Sequence, residues 1–189
     1  GTLLFGVEYE LELDPLPPEP ALLAAHFASI REALEAVLIA LEHRPSACEL
    51  IDRHILECAK ATPSQRGNRV FIEGDPGALL VVEMRRESMD ASRAALDKTA
   101  AAMRQAGLGF AFPVLEGANA ARVWELRKAG QAVMNNVNGP ERPAECVEDT
   151  AVDIRDLSSY LAEFDALMRE KHGISCVYYG HAGAGEIHT

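Results

Sequence analysis

Ala21-Leu22-Leu23-Ala24-Ala25-His26-Phe27 runs directly into Ala28-Ser29-Ile30-Arg31-Glu32-Ala33-Leu34. The first stretch is an apolar run of strand length and reads as a buried strand. In the second, Ser29 and Glu32 stand three apart, the spacing of a capping box that satisfies the first orphan N–H groups of a helix. Ile30, Leu34, Val37, Leu38 and Leu41 then recur at the spacing that gathers them on one helical face. Strand followed by helix is thus the local unit, and it returns further along. Ala78 to Met84, with Leu79, Leu80, Val81 and Val82 consecutive, is a second buried strand, and Met89 to Gln105 a second long helix ended by Gly107.

The remaining segments fall into the same alternation. Cys48 to Ile51 reads as a short strand, and Asp52 as the N-cap of a helix reaching Lys60. Thr62 to Pro76 is rich in turn formers and reads as a loop. Phe110 to Leu115 is expected as strand, Ala118 to Val133 as helix and Asn135 to Pro143 as loop. Ala144 to Val152 is expected as strand, Ile154 to Lys171 as a helix closing at Gly173, and Ile174 to Tyr179 as the last strand. Near the start, Val7, Tyr9, Leu11 and Leu13 alternate with Glu8, Glu10 and Glu12, so Leu3 to Leu13 reads as a half-buried strand with an acidic face. Pro15, Pro17, Pro18 and Pro20 form a stiff connector behind it, which places a boundary there. No GxGxxG or GxxxxGK[ST] stretch is present, which disfavours a doubly wound nucleotide fold. The order predicts an α+β fold of ferredoxin-like, repeated strand–helix–strand units, forming an antiparallel sheet with helices packed on one face.

Composition narrows the function. With 18 basic against 29 acidic residues the net charge is −11, which argues against nucleic acid or an anionic membrane as partner. No apolar run approaches the roughly 18 residues of a membrane span. Cys48, Cys58, Cys146 and Cys176 lie far apart without a CxxC pair, as expected of free thiols in a reducing, cytoplasmic setting. His26, His43, His54 and His172 have no evident partners in sequence and are assigned no role.

Gly180-His181-Ala182-Gly183-Ala184-Gly185-Glu186-Ile187-His188 carries the chemistry. Neutral imidazole is the commonest protein ligand for a divalent metal. On a straight strand, residues seven apart point to opposite faces, because side chains alternate. A chain that breaks at Gly180, Gly183 and Gly185 could bring the two rings together. Spacing alone leaves two readings open: a metal-binding pair, or two histidines flanking a turn. A catalytic metal takes about three protein ligands, so two would be part of a site.

Three segments taken together resemble a known family. Gly1-Thr2-Leu3, with Glu8 downstream, resembles the GTLGxxTE segment that closes the flavin domain of the FAD-linked oxidases. These are the enzymes of the D-lactate dehydrogenase, glycolate oxidase and D-2-hydroxyglutarate dehydrogenase group. Cys146-Val147-Glu148-Asp149-Thr150-Ala151-Val152 resembles their ExVxEDxAVP strand, and His181 to His188 their GHxGDGNxH segment. Leu4 and Val7 depart from the first pattern, Asp153 from the second, and Ala184 and Glu186 from the third. The GAGE form of the last resembles the members fused to an iron–sulfur domain.

The resemblance implies that residues 15–189 are the C-terminal, substrate-side cap domain, truncated at its C-terminus, and that residues 1–14 are the tail of a flavin-binding domain. It implies FAD, a divalent metal such as zinc, and an iron–sulfur cluster in a further domain as cofactors. Hydride would pass from a D-2-hydroxy acid to the flavin, and an electron acceptor would follow. Localisation would be cytoplasmic, with membrane association only through that acceptor, and an oligomer is left open. His181 and His188 are then the metal ligands. Trp124-Glu125-Leu126-Arg127 resembles the family's W-x-x-R, which makes Arg127 the expected clamp on the substrate carboxylate, since arginine binds carboxylates through paired hydrogen bonds. Glu186 is expected to face the substrate, and Gly1, Thr2 and Leu3 to lie near the flavin. No catalytic residue is expected within these residues, and the piece alone is expected to be inactive. Two other readings stay open: a ferredoxin-like ligand-binding or regulatory module without catalysis, and a metal-dependent hydrolase.

Overall fold

The computed structural model describes residues 5–13, 15, 19–135, 143–144, 147 and 150–189. Among them runs a five-stranded sheet in the order β4-β1-β3-β2-β6. Its strands are β1 (Glu19–Phe27), β2 (Ala47–Asp52), β3 (Ala78–Arg86), β4 (Val114–Leu115) and β6 (Tyr179–Gly180). β3 lies antiparallel between β1 and β2, and β1 reaches β2 through helix α1 (Ile30–Glu42). That is the split β-α-β arrangement of ferredoxin-like folds, and the α+β expectation holds. The decisive stretch behaves as its residues dictate. Ser29 caps α1 by accepting from the Glu32 N–H at 3.2 Å, while the Glu32 carboxylate accepts from the Ala28 N–H at 3.3 Å.

Helices cover both faces of the sheet. α1, α3 (Met89–Gln105) and α6 (Leu157–Leu167) bury one set of alternating strand residues, Leu23, Ala25, Leu50, Leu80 and Val82. Their opposite neighbours, Leu22, Ala24, Ile51, Leu79 and Val81, pack under α2 (Arg53–Ala61), α4 (Gly117–Lys128) and α5 (Gly130–Met134). One-face packing therefore describes α1, α3 and α6; the second face is closed as well. The reason is visible in β1 and β3, which are continuous apolar runs rather than alternating ones, so both faces needed cover.

Further expectations are corrected: the strand expected over Phe110–Leu115 is confined to Val114–Leu115, and the helix expected over Ile154–Lys171 is α-helical over Leu157–Leu167. Residues 5–13 form no strand, and Phe5, Val7, Tyr9, Leu11 and Leu13 are exposed. Alternation makes a strand only where a neighbour takes the hydrogen bonds and the apolar face, and no described strand pairs with it. The helix expected over Ala118–Val133 is divided at Ala129 into α4 and α5. The final strand shrinks to Tyr179–Gly180, and a two-stranded ribbon forms from β5 (Thr150–Ala151) and β7 (Glu186–Ile187). The loop expected over Asn135–Pro143 and the strand start at Ala144 lie mostly outside the described residues. Among the described residues no helix is long and apolar enough to cross a membrane.

His26, assigned no role above, is fully buried and locks a loop to β1. Its Nδ1 sits 2.8 Å from the Ala24 carbonyl, and its Nε2 accepts from the Glu73 N–H at 3.0 Å. A carbonyl only accepts and an N–H only donates, so the ring is held neutral with its proton on Nδ1. Burial pulls its pKa below the ordinary value. A histidine held neutral stabilises fully above the unfolded pKa, and that contribution disappears as pH falls below about 6.5 towards the folded value. Thermal unfolding is therefore expected to show a Tm falling from pH 7.5 to pH 5, with a shallower slope in His26→Gln; equal slopes would refute this assignment.

Candidate functional site

Three elements converge at one edge of the sheet. β2 supplies Glu49, α4 supplies Trp124 and Arg127, and the segment from Tyr179 onward supplies His181 and His188. Glu49 stands on the same face as Ile51 and is 8% exposed. A buried carboxylate needs partners, because burial removes its water. Its Oε2 accepts from Arg127 Nε at 3.1 Å and Nη2 at 2.9 Å. Its Oε1 lies 2.9 Å from His181 Nδ1.

The W-x-x-R stretch of α4 is a docking device. Trp124 and Arg127 are one helical turn apart, hence on one face. Glu83 and Glu49 sit two positions apart on paired strands, since Ala47 faces Glu83 and Glu49 faces Val81. Trp124 Nε1 donates to Glu83 Oε2 at 3.1 Å while Arg127 takes Glu49. Arg85 donates from Nε to the other oxygen, Glu83 Oε1, at 2.7 Å. The Arg127 guanidinium also lies over the Tyr179 ring, 5.3 Å from its centroid. Its Nη1 makes no hydrogen bond among the described residues.

The seven-residue spacing between the histidines resolves into a loop that returns on itself. β6 pairs with β2, placing Gly180 opposite Leu50. A single 3₁₀ turn, Ala182–Ala184, follows, and β7 leads back. His188 then bridges to Tyr179, its N–H donating to the Tyr179 carbonyl at 2.8 Å. The rings of His181 and His188 end 5.4 Å apart, centroid to centroid, and His188 also packs 5.0 Å from the Tyr179 ring. Glycine is required at the turn: Gly185 has φ +73°, and a Cβ there would fall 2.2 Å from the Val152 carbonyl oxygen. At Gly180 a Cβ would come within 3.0 Å of the His188 ring.

Glu186 lies on β7 opposite Ala151 and lines a groove of about 390 Å³ that Glu49, His181 and Cys48 also line. A larger cleft of about 560 Å³ lies elsewhere, between α1, the start of α2 and α6. Beside it Asp52 accepts from the His54 and Tyr178 N–H groups, tying α2 to the segment that leads into β6. Burial raises the Asp52 carboxyl above its ordinary range, and it raises the buried Cys48 thiol too, which keeps that thiol protonated.

The structure thus brings Arg127, His181 and His188 together, with Glu186 beside them. Gly1, Thr2 and Leu3, and Glu148 and Asp149 of the second motif, lie outside the described residues. Glu49 was missed by sequence reading. A signal was available: it is a lone acid inside an apolar strand, as Glu83 is in β3, and a buried acid is almost always paired.

The donors fit the implied metal only in part. Two imidazoles, one with its other nitrogen held by a carboxylate, are the donor type a divalent ion takes. They are two of the about three ligands a catalytic site needs. Among the described residues no group of three His, Cys, Asp or Glu side chains is placed to hold an ion. These residues alone do not complete a metal centre.

The model of the FAD linked oxidases, C-terminal domain, matches residues 16–189. The chain is 29% identical over 205 residues to the D-2-hydroxyglutarate dehydrogenase of Escherichia coli (strain K12), covering 100% of this chain and 19% of that protein. It is 29% identical over 198 residues to the D-2-hydroxyglutarate dehydrogenase of Pseudomonas putida (strain KT2440), again over 100% of this chain and 19% of the other. The enzyme of that name from Haemophilus influenzae is 26% identical over 204 residues, with the same coverage of 100% and 19%. The chain spans about a fifth of the length of these relatives.

Proposed function

The chain belongs to the C-terminal domain family of the FAD-linked oxidases, and on that premise we propose that it forms the substrate side of a flavin-dependent dehydrogenase of D-2-hydroxy acids. The observation that carries the proposal is the convergence of Arg127, His181 and His188 around one buried carboxylate, Glu49. D-2-hydroxyglutarate is the first candidate substrate, from the names of the relatives.

Arg127 binds the substrate carboxylate through its Nη1 edge, while Glu49 holds Nε and Nη2 in place. His181 turns Nε2 towards the 2-hydroxyl, because Nδ1 is engaged by Glu49. His188 stands beside it against the Tyr179 ring, which keeps water from one side of the pair. Glu186 lines the groove that receives the rest of the substrate. FAD would supply the hydride acceptor, and His181 and His188 are the side chains that would contribute to holding a divalent ion such as zinc, which would supply a Lewis acid. An electron acceptor is the partner that would reoxidise the flavin, and an iron–sulfur cluster would belong to a further domain. The 189 residues alone are proposed not to turn over substrate.

The test is Arg127→Lys in the intact parent enzyme. Lysine keeps the charge but loses the planar fork. KM for D-2-hydroxyglutarate is expected to rise on the order of tenfold with flavin content unchanged. An unchanged KM would remove Arg127 from the substrate site.

A further inference from the structure

We propose that Glu49 is a positioning residue that sets the tautomer of His181, and that it does so because Arg127 occupies its other oxygen. The inference rests on the reading above, in which His181 offers Nε2 to the substrate side. It adds a residue that neither the sequence motifs nor the family resemblance point to.

The argument uses only donor and acceptor inventories. An ionised carboxylate accepts and cannot donate, and an arginine donates and cannot accept. Glu49 Oε2 takes two N–H groups from Arg127, and Oε1 faces His181 Nδ1 at 2.9 Å. Nδ1 must therefore carry the proton, leaving the Nε2 lone pair exposed; the His181 side chain is 47% accessible. The arrangement is secured from three sides. β3 holds Glu49 in register opposite Val81, Tyr179 lies under the Arg127 guanidinium, and Trp124 fixes α4 through Glu83.

An amide in place of the carboxylate makes the proposal sharp. In Glu49→Gln, Arg127 still offers only donors, so the amide oxygen must turn to Arg127. The amide NH₂ then faces His181, and Nδ1 has to accept. The proton is driven to Nε2, and the lone pair that faced the site is lost. A carboxylate that merely filled space would produce no such inversion, because glutamine is nearly isosteric with glutamate.

The experiment is long-range ¹H–¹⁵N NMR of the imidazoles in the 189-residue chain at about pH 8.5, above the usual imidazole range. His181 is assigned by the signal lost in His181→Asn. In the wild type, Nδ1 is expected to be protonated and Nε2 bare. In Glu49→Gln the pattern is expected to invert. A wild-type ring protonated on Nε2, or a Glu49→Gln ring unchanged from wild type, would overturn the proposal. Near-UV circular dichroism of Trp124, which binds Glu83 and not Glu49, reports whether the variant is folded; if it is not, the wild-type tautomer still decides. In the parent enzyme, Glu49→Gln is expected to lower activity about 10- to 100-fold, the usual effect of removing a histidine's supporting carboxylate. Failure of the dehydrogenase reading would show separately, as an unchanged KM in Arg127→Lys beside an intact tautomer.

Discussion

Gly185→Ala is expected to destabilise the chain by about 2–4 kcal/mol and to part the two site histidines. Two effects add. At φ +73° a side chain meets the following carbonyl, which costs an L-residue roughly 1–2 kcal/mol. The new Cβ would also stand 2.2 Å from the Val152 carbonyl oxygen, a backbone atom that cannot swing aside. The ribbon between β5 and β7 must open to admit it. That opening breaks the hydrogen bond from the Val152 N–H to the Gly185 carbonyl, now 3.0 Å, worth about 1 kcal/mol. β7 carries His188 back to Tyr179, so the displacement is transmitted to the imidazole pair. Gly107→Ala is the control: it has the same φ of +73° with nothing within 4 Å of the added Cβ. Urea unfolding should place Gly185→Ala below Gly107→Ala by at least about 1 kcal/mol. Ring-to-ring nuclear Overhauser contacts between His181 and His188 should weaken only in Gly185→Ala. Equal losses of stability in the two variants would show that strain alone, and not the ribbon, decides.

That glycine also shows where the sequence was legible and where it was not. The motif suggested that the chain breaks between His181 and His188, and steric reasoning about glycine was enough for that. Which carbonyl the glycine must clear is a property of the segment around β5, some thirty residues upstream, and no local rule contains it. The same division runs through the fold. The caps at Ser29 and Asp52 and the helix Met89–Gln105 depend on neighbours in sequence, and the structure places α1, α2 and α3 where those signals put them. The segment 5–13 alternates as a strand should, yet a strand exists only with a partner, and alternation cannot supply one. Cover on the second face has its signal in the continuous apolar runs of β1 and β3, which leave neither face polar. At the site, Arg127 was found through the W-x-x-R stretch. Glu49 is 78 positions away from it, and only the packing of α4 on β2 makes them neighbours.

That long-range pair sets the second large effect. Arg127→Met is expected to destabilise the chain by about 2–4 kcal/mol, somewhat below the usual cost of breaking a buried ion pair because a little solvent reaches this one. The side chains are 13% and 11% accessible for Arg127 and Glu49. Removing the guanidinium leaves a carboxylate that has lost both N–H partners on Oε2 and keeps only His181. The cost is therefore chiefly the stranded charge, and that makes it reversible. Adding Glu49→Leu to the same chain removes the charge, and the two introduced apolar side chains would extend the surface already formed by Ile51 and Val123. The double variant is expected to recover to within about 1 kcal/mol of wild type, as buried ion pairs commonly do when replaced by apolar residues. The coupling from a double-mutant cycle should reach about 1.5–3 kcal/mol. Additive losses, or an Arg127→Met chain within about 0.5 kcal/mol of wild type, would show that the pair is not buried together as the structure places it. Recovery of stability without recovery of substrate binding in the parent enzyme is the informative combination. A pair that packing can replace for folding, but not for function, is kept for what its charges do at the site: one oxygen holding the arginine, the other deciding which nitrogen of His181 is bare.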